Sequence, residues 1–219
     1  MPSPTTSSTA TVVVRHEQRS RFAMGLKRLV QMLFLVVVTP RLLSYSVAKM
    51  LLGDRAFLAA SESIARIPGM RGVYCRQAFY RQTLHACGQD CSLGWMSTFS
   101  MPQASIADQV YIGRRCSIGY ASLGAKVMLA DGVQILSGGH EHGVGDAAEG
   151  ETHQDQAQTF EHLEIGEGAW IGTNAVIMAD VGAHAIVGAG AVVTKPIPPH
   201  CVAAGVPARV IKQLNQGQG

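Results

Sequence analysis

The chain has 219 residues, of which 47% are hydrophobic and 15% charged. This composition supports a sizeable core and excludes intrinsic disorder for most of the chain. The net charge of +3 combines two opposed regions, because residues 1–82 carry a formal charge of +9 and residues 83–219 carry −6. The five cysteines are an odd number at low density, which favours a reducing compartment over a disulfide-rich secreted domain.

The amino-terminal third of the chain differs in composition from the rest. Residues 1–20 are rich in Ser, Thr and Pro, which predicts a mobile tail. Residues 21–86 form a basic, apolar leader that we predict to be helical, with a break at Pro68 and Gly69. Its most apolar run, residues 29–39, ends at Pro40 and is shorter than the roughly 20 residues that span a bilayer.

Three interpretations of residues 21–50 stay open. A basic amphipathic helix at an anionic membrane surface would explain the apolar run and its basic flanks. Those flanks are Arg21, Lys27, Arg28 and Arg41. The same helix could pack on the protein's own core or at a subunit contact. A signal peptide cut after Ser46 and Ala48 is the third interpretation, although its length and its late basic region are unlike such peptides.

From Cys87 onward, medium-sized apolar residues recur every six positions, commonly followed by Gly or Ala. They fall into five sets of three: Cys87, Leu93, Phe99; Ile106, Ile112, Ile118; Leu123, Leu129, Ile135; Ile165, Ile171, Ile177; Val181, Val187, Val193. A period of six fits a chain that runs straight, turns a corner three times per coil and stacks each coil on the next. The pattern predicts an all-β domain over residues 87–212, a parallel β-helix of about five hexapeptide coils.

Irregularities in the repeat carry further expectations. Gly, Ala, Asn or Asp beside each apolar position is expected to form the corners, where left-handed backbone is needed. The intervals after Ile118 and Ile177 are short, which predicts local distortion. The period stops at His140 and resumes at Ile165, so residues 141–162 are predicted to be an extruded loop that leaves at a coil corner.

Four segments have a familiar form: ILSGGHEHG, GEGAWIGTNAVIM, VGAGAVVTKPIPPH and AAGVPARVIK. With them, residues 87–212 resemble the hexapeptide acyltransferase superfamily, and within it the maltose, galactoside and colanic-acid branch of sugar and surface-polysaccharide O-acetyltransferases. The resemblance implies a left-handed β-helix, a homotrimer, and acyl-CoA bound in the groove between neighbouring subunits. We also expect a short C-terminal helix, followed by a tail at residues 213–219.

The resemblance also implies roles for individual residues. His140 matches the catalytic base, which removes the acceptor's proton as its oxygen attacks the thioester. Glu141 and Glu164 are candidates for orienting its imidazole, and Trp170 and His142 for lining the groove. The residues implied for coenzyme A are Gly172, Thr173, Ala189, Thr194, Lys195, Arg209 and Lys212. An amide N–H of Gly172 or Thr173 would stabilise the oxyanion.

The expected function is direct acetyl transfer from acetyl-CoA to a hydroxyl of a sugar or lipid-linked polysaccharide precursor, without a metal. The expected location is the cytoplasm, with peripheral membrane association through residues 21–50. An N-acetyltransferase acting on an amino or nucleotide sugar is one alternative. A non-catalytic scaffold is another, and so is a zinc enzyme like the γ-class carbonic anhydrases. The histidines available for zinc are His140, His142, His153, His162 and His184. The acidic repeat region disfavours nucleic acid as a partner.

Overall fold

The computed structural model describes residues 21–137 and 160–214, with side chains from residue 29 onward. Three helices come first: α1 (Arg21–Leu52), α2 (Arg55–Ala65) and α3 (Gly69–Thr83). We call residues 29–84, whose side chains the structure describes, the helical cap. The break predicted at Pro68 and Gly69 is confirmed, because α3 begins at Gly69.

Sixteen strands follow in the described part of the chain, most of them two residues long. They are β1 (Ala86–Cys87), β2 (Ser92–Leu93), β3 (Thr98–Phe99), β4 (Ser105–Ile106), β5 (Tyr111–Ile112), β6 (Ser117–Ile118), β7 (Ala121–Leu123), β8 (Met128–Leu129), β9 (Gln134–Ile135), β10 (Leu163–Ile165), β11 (Trp170–Ile171), β12 (Val176–Ile177), β13 (Ile186–Val187), β14 (Val192–Val193), β15 (Cys201–Gly205) and β16 (Ala208–Gln213).

The strands build the three faces of a parallel β-helix. Sheet A contains β1, β4, β7 and β10; sheet B runs from β2 through β5, β8, β11 and β13 to β15 and β16; sheet C contains β3, β6, β9, β12 and β14. Each coil contributes one strand to each sheet in turn, so the predicted fold of about five coils is confirmed.

The five predicted sets supply the residues that face the core. Within each column the register is regular; in sheet B, for example, Ile112 pairs with Leu129 and Leu129 with Ile171. All fifteen residues of the sets are buried except Cys87, which is half-buried in the first coil. The six-residue period therefore identified the residues that point into the core from the strands, while buried corner residues such as Val110, Val127 and Ala175 complete the core.

The corners are less selective for residue type than expected. Left-handed backbone occurs at Gly, Asp and Asn as predicted, namely at Asp90, Gly132, Gly168, Asn174 and Gly190. It also occurs at Met96, Gln109, Arg115, Lys126, His184 and His200. Stacking explains the tolerance, since a corner amide donates to a carbonyl of the coil below, as from Lys126 to Asp108 (2.9 Å). That interaction offsets the roughly 1–2 kcal/mol cost of this conformation.

The two short intervals behave differently. After Ile177 the sheet A strand is reduced to isolated bridges, in which Val181 pairs with Ile165 and Ile197. After Ile118 the pairing is regular, because β7 keeps its register with β4. The expected loss of regular structure therefore occurs only after Ile177.

The predicted C-terminal helix is wrong. Residues 208–213 form β16, which pairs antiparallel with β15 at the end of sheet B. Without β16, the backbone groups of β15 on that side would have no partner in the sheet, and Val210 and Ile211 favour extended backbone. These residues continue the sheet and cover its end.

Helix α1 continues through Pro40 to Leu52, so it extends well beyond the apolar run of residues 29–39. Its buried residues Val38 and Tyr45 lie on either side of the proline, and packing at both outweighs the roughly 3 kcal/mol cost of proline in a helix. Residues 29–52 are thus 24 residues of mean hydropathy 1.5, long and apolar enough to cross a membrane. Core helices of soluble proteins and signal sequences meet the same criterion.

The helical cap is joined to the first coil by buried polar contacts. The buried Arg76 guanidinium donates to the carbonyls of Leu93 (2.9 Å), Ile67 (2.8 Å) and Ala65 (3.3 Å). The Ser61 hydroxyl lies 2.7 Å from the Tyr80 hydroxyl and accepts from the Phe99 amide (2.9 Å). Because buried polar groups are costly unless paired, these bonds fix the cap in one position on the β-helix.

Candidate functional site

The predicted extruded segment, residues 141–162, lies outside the described residues except for residues 160–162. It follows β9 in sheet C and returns in β10 of sheet A. His140, Glu141, His142 and His153 lie outside the described residues. The nearest described residue before them is Ser137, which is buried.

A chain of polar groups lies at the foot of this segment. Ser122 Oγ is 2.8 Å from His162 Nε2 on one side and 2.8 Å from Ser105 Oγ on the other. The Tyr120 ring meets the His162 ring edge-on, with centroids 4.8 Å apart. Sequence reasoning gave His162 only a role as a zinc ligand. It had no signal for Ser105 and Ser122, which occupy ordinary repeat positions and meet His162 only after the coils stack.

Glu164, one of the two predicted orienting residues, lies in β10 near this corner. Its side chain is exposed on sheet A, and its backbone amide donates to the Asp180 carboxylate (2.8 Å). The other candidate, Glu141, lies outside the described residues. Glu164 therefore lies close to the foot of the segment, and both Glu141 and Glu164 stay candidates.

A cavity of about 910 Å³ opens between the helical cap and the same corner. Asp54, Arg55 and Leu58 line it from the cap, and Tyr120 and Phe160 line it from the foot of the extruded segment. Residues 100–103 complete its wall. The lining combines an apolar surface with charged and polar groups, as in sites for small molecules.

Three of the residues predicted to contact coenzyme A share a second corner, between sheets B and C. A side chain at Gly172 would place its Cβ 2.5 Å from the Ala189 amide nitrogen, so the two coils touch backbone to backbone there. Thr173 and Ala189 are exposed at this corner. The Gly172 amide already donates to Val187 (2.8 Å). Among the described residues, no acceptor takes the Thr173 amide, which favours Thr173 as the oxyanion donor.

The four other predicted contacts are divided between two places. Arg209 pairs with Ala204 and Lys212 with Val202 across β15 and β16, which places both at the end of sheet B. Thr194 and Lys195 follow β14 and are exposed beyond sheet C, at a different corner. Within one chain, therefore, Thr194 and Lys195 are separated from the corner that carries Thr173.

Trp170 belongs to an apolar ladder on the outer face of sheet B. Tyr111, Met128 and Trp170 are aligned by the strand register and are 48%, 46% and 49% exposed. A shallow cavity of about 370 Å³ lies beside them and is also lined by Thr173 and Asp131. Trp170 and Thr173 thus line one depression.

Asp131, at the edge of this depression, was not identified from the sequence. Its carboxylate accepts from the Arg114 amide (2.7 Å) and forms an ion pair with the Arg114 guanidinium (2.7 Å). These bonds, the amide first, hold the pKa of Asp131 below its ordinary value. Asp131 therefore stays ionised at the edge of the depression, where its charge is paired with that of Arg114.

No cluster of three or more His, Cys, Asp or Glu side chains that could hold a metal ion occurs in residues 29–137 and 160–214. His184 stacks on His200 instead, with ring centroids 5.0 Å apart. Two of the five histidines weighed for zinc, His162 and His184, therefore have other neighbours.

The repeat itself matches a known family model. Residues 162–195 match the bacterial transferase hexapeptide repeat (six repeats). The chain carries the hexapeptide repeat of bacterial transferases. The matched residues comprise the fourth and fifth coils, which include Trp170, Gly172, Thr173 and Ala189.

Curated relatives of the hexapeptide-repeat domain are acetyltransferases. The galactoside O-acetyltransferase of Escherichia coli K12 is 51% identical over 55 residues, which are 24% of this chain and 27% of that protein. The serine acetyltransferase of Salmonella typhimurium LT2 is 35% identical over 127 residues, which are 53% of this chain and 43% of that protein. The chain thus spans less than half the length of either relative.

Solved structures extend the similarity to most of the fold. A maltose O-acetyltransferase from Clostridium difficile 630 has a TM-score of 0.66 at 24% identity, covering 77% of this chain and 90% of that one. A galactoside acetyltransferase in complex with coenzyme A has a TM-score of 0.63 at 25% identity, covering 74% and 81%. The architecture of the hexapeptide-repeat domain is therefore that of known acetyltransferases.

Proposed function

We propose that the protein is an acetyl-CoA-dependent O-acetyltransferase that acts on a hydroxyl of a sugar or surface-polysaccharide precursor. One observation carries the proposal: the corner with Gly172, Thr173 and Ala189 lies in the coils that match the hexapeptide transferase model. A galactoside acetyltransferase with this architecture has been solved with coenzyme A. Small residues at an exposed corner let an extended thioester lie against the backbone.

In the proposed reaction the acceptor hydroxyl attacks the thioester carbonyl directly. His140 takes the hydroxyl proton as the carbon–oxygen bond forms, and Glu141 or Glu164 orients its imidazole. The Thr173 amide donates to the oxyanion. When the carbon–sulfur bond breaks, the proton passes to the departing thiolate, which gives the acetyl ester and free coenzyme A.

The donor groove is proposed to form between subunits of a homotrimer, with Trp170 and His142 on its walls. The exposed ladder of Tyr111, Met128 and Trp170 provides an apolar face for such a contact. Within one chain, Thr194 and Lys195 lie at a different corner from Thr173. Assembly of the subunits would bring the two corners to one ligand. Lys195, Arg209 and Lys212 would bind the phosphates of coenzyme A.

The acceptor is proposed to enter the cavity between the helical cap and the foot of the extruded segment, on the cytoplasmic side of a membrane. Arg55 and Asp54 offer hydrogen bonds to a saccharide, and Tyr120 and Phe160 offer aromatic surfaces. Residues 21–50 would hold the enzyme at the surface where a lipid-linked precursor is found.

A small hydroxy amino acid is a second candidate acceptor. The match to serine acetyltransferase extends over 127 residues, more than twice the length of the match to galactoside O-acetyltransferase. Both acceptors would use the same donor groove and the same base, so an assay must offer both.

Thermal unfolding with and without acetyl-CoA tests the donor site. A ligand at 100 times its Kd adds about 2.7 kcal/mol to native stability, which should raise Tm clearly. The Lys195→Ala variant should show a smaller rise, and a metal chelator should not alter it. If acetyl-CoA leaves Tm unchanged, the proposal is wrong. Lower stability after chelation would favour a zinc enzyme, and no response to either would favour a scaffold.

Release of coenzyme A in the presence of galactosides, amino sugars and serine tests the acceptor and the base. We expect His140→Ala to lower kcat by about 10²–10⁴ while acetyl-CoA still raises Tm. His153→Ala is the matched control, since it changes a histidine of the same segment and should retain activity. An active His140→Ala variant would refute the assigned base, and turnover of amino sugars alone would favour N-transfer.

A further inference from the structure

Helix α1 has two unlike faces. A narrow stripe packs against α2 and α3 and includes Phe34, Val38, Leu42, Tyr45 and Ala48. The Phe34 ring stacks on the Tyr74 ring (5.2 Å), and Tyr45 meets Phe57 (6.1 Å) and Phe79 (6.0 Å) edge-on. The stripe repeats every three or four residues, as expected for a helix with one buried side.

The opposite face is apolar and exposed along its whole described length. At 100° per residue, Leu29, Val36, Leu43 and Val47 lie within about 40° of the direction opposite Val38. Their side chains are 59–69% exposed. We define the outer face of α1 as Leu29, Met32, Leu33, Val36, Pro40, Leu43, Val47, Met50 and Leu51. Soluble monomers rarely expose so large a continuous apolar surface unless it binds something.

Three polar side chains beside this face already have hydrogen-bond partners. The Thr39 hydroxyl donates to the Leu35 carbonyl (3.0 Å), and the Ser46 hydroxyl donates to the Leu42 carbonyl (2.9 Å). Arg41 points towards α2, where its guanidinium donates to the Ser63 hydroxyl (2.6 Å). The outer face therefore presents neither a charge nor an unpaired hydroxyl from these residues, which suits a medium without water.

We propose that the outer face of α1 is buried in one leaflet of an anionic membrane, with the helix parallel to the membrane plane. The charge of the cap favours this partner, since residues 29–84 contain, besides the buried Arg76, six Lys or Arg against two Asp or Glu. Helix α1 contains no acidic residue. Amphipathic helices bind anionic lipid by this combination of apolar burial and basic charge.

The in-plane orientation follows from the inner stripe. A helix that crossed the bilayer would have to separate Val38 and Tyr45, now 1% and 8% exposed, from α2 and α3. It would also break the bond from Arg41 to Ser63 and carry that charge into the hydrocarbon. Lying in the plane, α1 keeps these contacts and buries only its outer face.

A helix from a second copy fits the outer face less well. A coiled-coil seam is narrow and is commonly flanked by charged residues that select the partner. Here Met32, Val37 and Leu51 widen the apolar surface instead, and Pro40 lies within it. Fluid lipid accommodates a proline and a broad surface more easily than a packed helix does.

Sedimentation with vesicles of equal parts phosphatidylcholine and phosphatidylglycerol tests the proposed partner. We expect the triple variant Val36→Ser, Leu43→Ser, Val47→Ser to partition at least about tenfold less than the parent protein. The matched control is Val206→Ser, Val210→Ser, Ile211→Ser, which changes three exposed apolar residues at the other end of the molecule and should bind like the parent. Equal binding by both variants would overturn the proposal.

Two further measurements test the alternatives. Tryptophan introduced singly at Leu29, Leu43 and Met50 should be quenched alike by lipids brominated at one shallow depth if the helix lies in the plane. Deep quenching at Leu43 with shallow quenching at the other two would mean that the helix spans the bilayer. A triple variant of lower mass than the parent in lipid-free ultracentrifugation would identify a second copy as the partner. Either result overturns the proposal, and unchanged Tm values would show that the variants are folded.

Discussion

In the β-helix each coil buries the apolar residues of the six-residue repeat, whereas the described part of α1 exposes more large apolar side chains than it buries. The β-helix is built from one repeated local rule, and its core residues can be counted along the chain. The helical cap is held by a few specific contacts, among them the Arg76 hydrogen bonds. The comparison indicates that many equivalent core residues stabilise the β-helix, whereas a few specific contacts stabilise the helical cap.

The largest effect is expected from a cavity in the β-helix core. Ile171 is fully buried between Leu129 and Val187, so Ile171→Ala should lower the free energy of unfolding by about 2–5 kcal/mol. Urea denaturation measures the change. Ile171→Val, which removes a single methyl group, should cost about 0.5–1.5 kcal/mol. Equal losses for the two variants would contradict the tight packing of this column.

The next effect is expected at the junction of the two regions. Arg76→Met would leave the carbonyls of Leu93 and Ile67 without their donor. We expect a net loss of about 1–3 kcal/mol, since an apolar side chain in place of the buried charge offsets part of the cost. We expect loosening of α2 and α3 before the β-helix unfolds, seen as faster hydrogen exchange in the cap. Arg71→Met, a change at an exposed position of the same helix, is the control. Exchange that accelerates equally in both regions would show that they unfold as one unit.

Alkaline pH should weaken the same junction. Burial raises the pKa of Tyr80 to about 12, against an ordinary value of 10.0. The folded state therefore holds this proton more tightly than the unfolded state. The protonated Tyr80 hydroxyl therefore adds about 2–3 kcal/mol to the free energy of unfolding below pH 10. This contribution is lost as the pH rises towards 12. The Tyr80→Phe variant should be less stable at neutral pH and lose less between pH 10 and 12, as measured by urea denaturation; an unchanged slope would contradict this assignment.

The smallest effects are expected at the corners. Gly190 has left-handed backbone with open space around it, so Gly190→Ala should cost only the conformational strain, about 1 kcal/mol. Lys126→Gly makes the opposite change at a left-handed residue and should be neutral or stabilise by up to about 1 kcal/mol. Thermal unfolding of the pair measures both. A marked loss in Lys126→Gly would mean that its side chain, not its amide, stabilises the corner.

The sequence allowed the β-helix to be predicted almost residue by residue, and the cap only in outline. A repeat places each core residue by its distance along the chain, so Ile112 or Ile171 is identified without knowledge of its neighbours. No comparable rule identifies Arg76 or Ser61, whose partners lie in other elements. Of the site, the corner with Gly172 and Thr173 was predicted, whereas the contact of Ser122 with His162 was not.

The six-residue period by itself determined the five coils, because spacing along the chain fixes which residues face a stacked core. The donor-site candidates came from the resemblance of four segments to the acyltransferase superfamily. Only the tertiary structure decided that residues 208–213 pair with β15 rather than form a helix. It also decided that α1 continues through Pro40. In both cases long-range packing and backbone pairing outweigh local preference, by energies that no local sequence pattern records.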